Sequence, residues 1–264
     1  MRILYSKVAL KVKSPLIIYG LPIPKRNNPV ISYSIDPQFK TMVEGSSKLT
    51  VKIPIKTLGR EASRWLKEVL KEVVEALSLA LSKRLNIKIA TMGSPKSSPY
   101  QYLSVQMLAL MMFTRENIYP ITLKEFLDVT SEAYSLSPEY RTIIESYIIT
   151  LALNEPVVYR RGEGYIRLKE DVFKTLRLDF RWVNVGARFI EELPMLNELT
   201  LLLGRLVVEA ASSTFKGDIK KLRMLHRIES YLSRTLYVAE EGTCKIVPET
   251  YGYVCIRVDG DVNV

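Results

Sequence analysis

The sequence has 264 residues, of which 47% are hydrophobic and 25% charged, a globular composition that excludes disordered, collagen-like and small disulfide-stapled classes. The longest apolar run, Val105–Phe113, is about half of the roughly 20 residues that a membrane-spanning helix needs. With no secretory cleavage pattern at the N-terminus, we expect a cytoplasmic protein without membrane contact. The net charge is +10, and residues 1–100 hold 18 Lys and Arg against 6 Asp and Glu, so the basic excess lies there.

Alternation of apolar and polar residues predicts strands in the first part of the chain. The predicted strands are Ile3–Val12, Leu16–Tyr19, Val30–Ile35 and Leu49–Ile53. Apolar residues at intervals of three and four from Arg60 to Leu85 then predict a long amphipathic helix. A short strand, Ile87–Thr91, and a polar loop at residues 93–99 precede an apolar helix from Tyr100 to Phe113.

The second half begins with two helices and returns to strands. One helix starts at Thr122, where Glu125 completes a capping box, and the next starts at Ser137. The elements predicted after Pro156 are strands at Val157–Tyr159, Tyr165–Leu168 and Leu176–Phe180, helices at Phe189–Ser213 and Lys216–Glu241, and strands at Cys244–Val247 and Tyr253–Val258. A strand-rich first part, a helical middle and a mixed end predict an α+β fold.

Few side chains suit nucleophilic or metal chemistry. His226 is the only histidine and falls in a helical pattern, which favours an ordinary packed or exposed residue over a catalytic one. Cys244 and Cys255 form neither a CxxC pair nor a Cys/His cluster, so we expect small core residues on neighbouring strands and no metal site. Scarce glutamine beside abundant Ile, Lys, Glu and Arg is typical of thermophilic proteins.

The loop after the strand Ile87–Thr91 is the segment best placed to bind phosphate. A Gly/Ser loop between a strand and a helix offers backbone N–H groups and the positive end of the helix dipole to an anion. Ser97 and Ser98 would present hydroxyls to phosphate or Mg²⁺, and Lys96 adds a cation. The loop has a single glycine, and its two prolines lack a donor, so a plain helix cap is the alternative interpretation.

Three segments follow the order and spacing of motifs in one enzyme superfamily. The first is Ser14-Pro15 followed by an apolar strand. The second is Ile89 to Tyr100, where the paired serines match but two glycines and two small residues of the motif are replaced. The third is Glu241 to Val254, where a turn at Pro248–Gly252, the third-motif turn, joins two strands. Its matching residues are Gly242, Lys245 and Gly252.

On these segments the chain resembles the GHMP kinases, the superfamily of galactokinase, homoserine kinase, mevalonate kinase and phosphomevalonate kinase. The resemblance implies a two-domain α+β architecture with a β-rich N-terminal domain, residues 1–155, and an α/β C-terminal domain, residues 156–264. The phosphate loop at residues 93–99 and the third-motif turn would line the cleft between them. It also implies an ATP-dependent small-molecule phosphotransferase that uses Mg²⁺, or a catalytically degenerate relative.

The resemblance assigns residues to nucleotide binding but assigns no catalytic base. Its phosphate-binding residues are Gly93, Ser94, Lys96, Ser97 and Ser98, with Lys245 and Gly252 at the third-motif turn. Many members use an Asp ahead of a Gly-Gly strand start, and the corresponding region, residues 145–156, contains no Asp. Glu145 is about two residues out of register, and a glutamate on the helix surface is the favoured interpretation.

A non-enzymatic binding protein is the alternative hypothesis. A one-sided positive field attracts nucleic acid or an acidic partner. Basic residues alternate with aromatic ones in the predicted strands, a pattern that could form a base-stacking surface. These residues are Tyr5, Lys7, Lys11, Lys13, Tyr19, Lys25, Arg26, Tyr33, Phe39 and Lys40. The partners are thus a small-molecule substrate and a nucleotide in one hypothesis and nucleic acid in the other, with a homodimer left open.

Overall fold

The structure is a computed structural model that describes residues 6–23, 26–53, 58–131, 133, 136, 138–183, 188–189, 196–238 and 244–258. Its strands are β1 (Val8–Tyr19), β2 (Val30–Gly45), β3 (Thr50–Lys52), β4 (Ile87–Met92), β5 (Val157–Arg160), β6 (Gly164–Arg167), β7 (Leu178–Val183), β8 (Arg188–Phe189), β9 (Tyr237–Val238), β10 (Lys245–Glu249) and β11 (Gly252–Val258). Its helices are α1 (Arg60–Ala80), α2 (Pro99–Asn117), α3 (Leu123–Thr130), α4 (Pro138–Leu153), α5 (Glu170–Lys174), α6 (Leu196–Lys216) and α7 (Ile219–Leu236).

These elements form two compact units, each assembled from two stretches of chain. Unit 1 comprises Met1–Ser14 and Asp36–Leu136, and unit 2 comprises Pro15–Ile35 and Ser137–Val264. Strands β1 and β2 therefore contribute residues to both units. The domain boundary expected at residue 155 stays a prediction.

Unit 1 builds its sheet around β4. This strand runs antiparallel to β2, with Lys40 opposite Met92 and Gly45 opposite Ile87, and parallel to β3. Side chains alternate along β4, so that Ile87 and Ile89 are buried on one face. Helices cover that face: α2 packs on β4, and α1 packs on α2 and α3.

The helices of unit 1 differ in how much of their surface is buried. Helix α1 has the predicted amphipathic pattern, with Leu66, Leu70, Val73 and Leu77 buried and charged residues between them. Helix α2 is buried on nearly all sides, including polar residues such as Gln106. A helix of this kind carries no amphipathic period, which is why its length was underestimated from the sequence.

Unit 2 contains three antiparallel groups of strands, the smallest being β8 with β9, and a helical pair. Strand β11 lies between β10 and β7, and β5 lies between β6 and residues 30–32 of β2. Helices α6 and α7 pack together, and α7 also packs on β10. The core between them is apolar, with Tyr19, Phe173, Leu222 and Tyr253 nearly inaccessible to solvent.

The predicted α+β class is confirmed, and several element boundaries were wrong. One strand runs through Val8–Tyr19 where two were predicted, because the φ angle of Pro15 is compatible with extended backbone even though proline donates no hydrogen bond. A short helix, α5, precedes β7. The helix predicted from Phe189 begins at Leu196, and Phe189 belongs to β8 instead.

The two cysteines are joined in a disulfide, which the sequence reading did not predict. Cys244 directly precedes β10 and Cys255 lies in β11, opposite Ile246. Both are almost fully buried, so their expected place in the core beside neighbouring strands is confirmed. None of the helices within the described part of the chain is long and apolar enough to cross a membrane.

Candidate functional site

The loop between β4 and α2, residues 93–98, contains all five residues assigned to phosphate, and it ends in a helix cap. Ser98 is the N-cap of α2: its Oγ accepts a hydrogen bond from the backbone N–H of Gln101 at 3.3 Å. The Gln101 side chain returns the interaction, since its Oε1 accepts from the Ser98 N–H at 2.8 Å. Pro99 follows at the first helical position, where a missing N–H costs nothing. The Ser98 hydroxyl is therefore engaged in a capping box.

Three backbone amides of this loop donate to groups in the loop or in the helix that follows it. The Ser97 N–H donates to the Ser94 carbonyl oxygen at 3.0 Å, and the Lys96 N–H donates to the Ser94 Oγ at 3.2 Å. With the Ser98 N–H bonded to Gln101, three consecutive amides are paired internally. Such amides are the groups that a phosphate-binding loop has to leave open.

Burial separates the serines from the other loop residues. Ser97 and Ser98 have no solvent-exposed surface, whereas Lys96 is exposed and Ser94 is partly exposed. The Ser97 Oγ has no hydrogen-bond partner among the described residues. A ligand could reach either serine only after the loop moved.

Gly93 is required by its neighbours in unit 1. A Cβ atom at this position would lie 2.4 Å from the Phe39 ring and 2.8 Å from the Tyr102 hydroxyl oxygen. The two rings meet edge to face with centroids 4.9 Å apart. Burial raises the pKa of Tyr102 to about 12, so its hydroxyl stays protonated at neutral pH. Packing of these rings is sufficient to explain the glycine.

Unit 2 holds the third-motif residues, and Lys245 lies in its interior. The Lys245 Nζ donates to Glu229 Oε2 at 2.6 Å and to the Ile18 carbonyl oxygen at 2.8 Å. Glu229 also accepts hydrogen bonds from the Gly20 N–H. Burial lowers the pKa of Lys245, and the neighbouring Glu229 carboxylate acts in the opposite direction. No surface of either charged side chain reaches solvent.

Gly252 begins β11 and lies against β7. It pairs with Glu249 at the end of the β10–β11 hairpin. A Cβ atom on Gly252 would lie 2.1 Å from the Val183 carbonyl oxygen and 2.6 Å from the Trp182 ring. The close approach of β7 thus demands a glycine here. Gly242, the remaining match in this motif, lies outside the described residues.

Glu145 is buried, contrary to the expected place on a helix surface. It projects from α4, and its Oε2 accepts a hydrogen bond from the Tyr159 hydroxyl at 2.5 Å. The Arg161 Nε lies 3.4 Å from its Oε1. Burial raises the pKa of Glu145, while Tyr159 and Arg161 act to lower it. These contacts attach α4 to the β5–β6 hairpin, and the alternation in β5 was the only sequence signal for them.

The described residues offer little for metal binding or for catalysis by histidine. No cluster of three or more His, Cys, Asp or Glu side chains suited to a metal ion occurs in the part of the chain that the structure describes. His226 is fully buried in α7, with its ring edge-on to Tyr19 at a centroid distance of 6.3 Å. It is a packed core histidine, one of the two ordinary positions, packed or exposed, that the helical pattern left open.

Replacing Ser97 and Ser98 one at a time should change stability differently. Ser98→Ala removes the cap of α2 and should lower the free energy of unfolding by about 1 kcal/mol, a shift of roughly 2–4 °C in Tm. Ser97→Ala removes a buried hydroxyl that has no partner among the described residues and should leave Tm unchanged or raise it. Thermal unfolding of both variants without ligand measures this. An equal loss in both would contradict the capping geometry.

Comparison with solved structures shows a kinase fold at low sequence identity. The L. major mevalonate kinase superposes with a TM-score of 0.65 and 15% identity, covering 98% of this chain and 90% of that one. A mevalonate kinase from methicillin-resistant Staphylococcus aureus gives 0.58 and 13%, with coverage of 95% and 90%. A Streptococcus pneumoniae phosphomevalonate kinase gives 0.56 and 10%, with coverage of 96% and 92%. No protein-family model matches the chain, and no curated protein shows significant sequence similarity to it. The expected GHMP-kinase fold is confirmed.

Proposed function

We propose that this protein is a catalytically degenerate relative of the GHMP kinases, one that keeps their fold and does not transfer phosphate from ATP. The observation that carries the proposal is the internal pairing of the Lys96, Ser97 and Ser98 amides in the loop at 93–98. A phosphate group at this loop would have to replace those hydrogen bonds. It would also have to uncover two fully buried serines.

The residues present do not fit ATP and Mg²⁺. A phosphate site needs several donors directed at one point, and the Lys96, Ser97 and Ser98 amides of this loop are already bonded within the protein. Breaking those hydrogen bonds leaves backbone groups unsatisfied at roughly 1–3 kcal/mol each unless the ligand replaces every bond. Glu145, the acid nearest to the family's base position, is held by Tyr159 and Arg161. We therefore derive no phosphoryl-transfer step for this chain.

An active phosphotransferase is the competing hypothesis, and one observation favours it. The Ser97 Oγ is buried without a hydrogen-bond partner among the described residues, and buried polar atoms of this kind are uncommon unless something satisfies them. In that hypothesis the loop opens, and Gly93, Ser94, Lys96, Ser97 and Ser98 bind the nucleotide phosphates and Mg²⁺.

Nucleotide titration separates the two hypotheses. A ligand that binds the folded state alone at one hundred times its Kd adds roughly 2.7 kcal/mol of stability. We expect millimolar Mg²⁺ and ATP, or ADP, to leave Tm unchanged, with no phosphate transfer from radiolabelled ATP to mevalonate, homoserine or galactose. The L. major mevalonate kinase, run in parallel, checks that the assay detects binding and transfer.

One result of this titration would contradict the proposal. Saturable, Mg²⁺-dependent stabilisation by ATP that disappears in the Ser97→Ala/Ser98→Ala double variant would overturn the degenerate assignment. It would also restore the predicted phosphate-binding role of the loop. Stabilisation that persists in the double variant would place nucleotide elsewhere on the protein, and the loop would keep its structural role.

A further inference from the structure

The outer face of the sheet in unit 1 is basic. Along β4, the residues that alternate with buried Ile87 and Ile89 are Lys88, Ala90 and Met92. The corresponding positions of β2 carry Lys40, Met42 and Glu44. Because successive side chains of a strand point to opposite faces, these residues share the face away from the core. Met92 exposes 72% of its surface there.

A groove of about 700 Å³ crosses this face, and four lysines line it. Lys7 and Lys11 come from the β1 end of the chain, Lys40 from β2 and Lys52 from β3. All four side chains are exposed. Among the described residues that line the groove none is acidic, so four positive charges converge on it.

The nearest carboxylate on this face is already neutralised. Glu44 and Lys88 form an ion pair with Oε1 and Nζ 2.5 Å apart. The hydrogen bond from Lys88 lowers the pKa of Glu44, and the charges of Lys7 and Lys52 act in the same direction. The field over the groove therefore favours anions.

The floor of the groove is largely apolar, and the hydroxyls of its two threonines, Thr41 and Thr91, are hydrogen-bonded to each other at 2.7 Å. It is formed by small and flexible side chains, among them Ala9, Met42, Ala90 and Met92. Three of the aromatic residues that the sequence suggested for base stacking do not contribute, since Tyr19, Tyr33 and Phe39 are buried in the core, and the fourth, Tyr5, lies outside the described residues. A ligand in the groove would meet positive charge at the rim and a mainly apolar surface in the middle. Neither feature distinguishes one base from another.

We propose that this groove binds single-stranded nucleic acid through its phosphates, without sequence preference. Four lysines distributed over neighbouring strands suit a chain with repeated negative charges. The exposed faces of unpaired bases can cover the apolar floor, which a duplex cannot do because its bases are stacked inside. An acidic peptide fits less well, since a peptide lying across a sheet face would place unpaired amides on an apolar surface.

Fluorescence anisotropy with a fluorescein-labelled 15-nucleotide oligo-uridine and an oligo-thymidine of equal length tests the proposal. If four phosphates are contacted, raising NaCl from 50 to 200 mM should weaken binding about 50-fold, from a slope of roughly 0.7 per phosphate. The variant Lys7→Gln/Lys11→Gln/Lys40→Gln/Lys52→Gln should bind at least about tenfold more weakly at 50 mM, with a slope near zero.

A matched variant controls for net charge. Arg64→Gln/Lys67→Gln/Lys71→Gln/Arg84→Gln also removes four exposed cations from unit 1, from α1 and the segment after it. It should bind as the wild type does, with an unchanged salt slope. Circular dichroism and Tm of both variants verify folding, and every replaced lysine of the groove is on the surface.

Three results would overturn the proposal. Equal losses in the two variants would mean that binding follows net charge and not the groove. Absence of binding by both oligonucleotides at 50 mM NaCl would exclude nucleic acid. Stabilisation by poly-glutamate or by octyl phosphate, in the absence of oligonucleotide binding, would assign the groove to another anion. None of these outcomes depends on whether the loop at 93–98 binds ATP.

Discussion

Lys245→Met should lower the free energy of unfolding by about 3–5 kcal/mol, the usual cost of removing one partner from a buried ion pair. The substitution leaves the Glu229 carboxylate in the core with no cation and the Ile18 carbonyl without its Lys245 donor. Glu229 would keep its bonds from the Gly20 N–H, which do not neutralise its charge. In a chain of this size the loss corresponds to roughly 6–20 °C in Tm.

Urea denaturation of Lys245→Met and of the double variant Lys245→Met/Glu229→Gln measures this effect. The double variant should be more stable than the single one, because glutamine is neutral and can still accept from Gly20. Lys71→Met is the control: Lys71 and Glu75 form an exposed pair on α1, and its loss should cost less than about 1 kcal/mol. A small effect for Lys245→Met, similar to that control, would contradict the buried pair.

The interior position of Lys245 bears on the third-motif resemblance. Its spacing after the helix and before the turn matches the third motif of the resemblance, yet the side chain is fully occupied by Glu229 and Ile18. If Lys245 only stabilises unit 2, its replacement should lower the stability of the protein without a specific change in ligand binding. Its role in nucleotide binding stays a prediction.

Capping signals are local and can be recognised in the sequence. Thr122 and Glu125 predicted a capping box that the structure confirms. Ser98 and Gln101 have the same spacing and form the same device. The same two serines also match the phosphate motif of the resemblance, so the sequence leaves both interpretations open.

Long-range partners could not be predicted from the sequence. Phe39 fills the space beside Gly93 from more than fifty positions away, and Gly20 shares Glu229 with Lys245. Alternation in the strands did place lysines on one face of a sheet. The groove itself needed the pairing of β4 with both β2 and β3, since β3 is parallel to β4 and brings Lys52 beside Ala90. Strand order is a property of the folded chain and not of any single segment.

Gly252→Ala should destabilise the protein by about 3 kcal/mol, at the upper end of the range for overpacking. The new methyl group would lie 2.1 Å from the Val183 carbonyl oxygen. Backbone in the β11–β7 pairing cannot move without losing ladder hydrogen bonds, so the strain cannot be relieved by a rotamer change. Gly93→Ala should cost less, because the atoms that it would meet belong to the side chains of Phe39 and Tyr102.

Gly204→Ala is a control that should change stability in the opposite direction. Gly204 lies within α6 with open space around its Cβ position, and alanine in a helix interior is favoured over glycine by about 0.5–1 kcal/mol. Urea denaturation should therefore show one glycine replacement that raises stability and one that lowers it severalfold more. If Gly252→Ala is neutral, β7 does not approach the hairpin as described. If it is strongly destabilising in the absence of any ligand, strand packing alone requires the glycine, and its presence in the third-motif turn carries no weight for nucleotide binding.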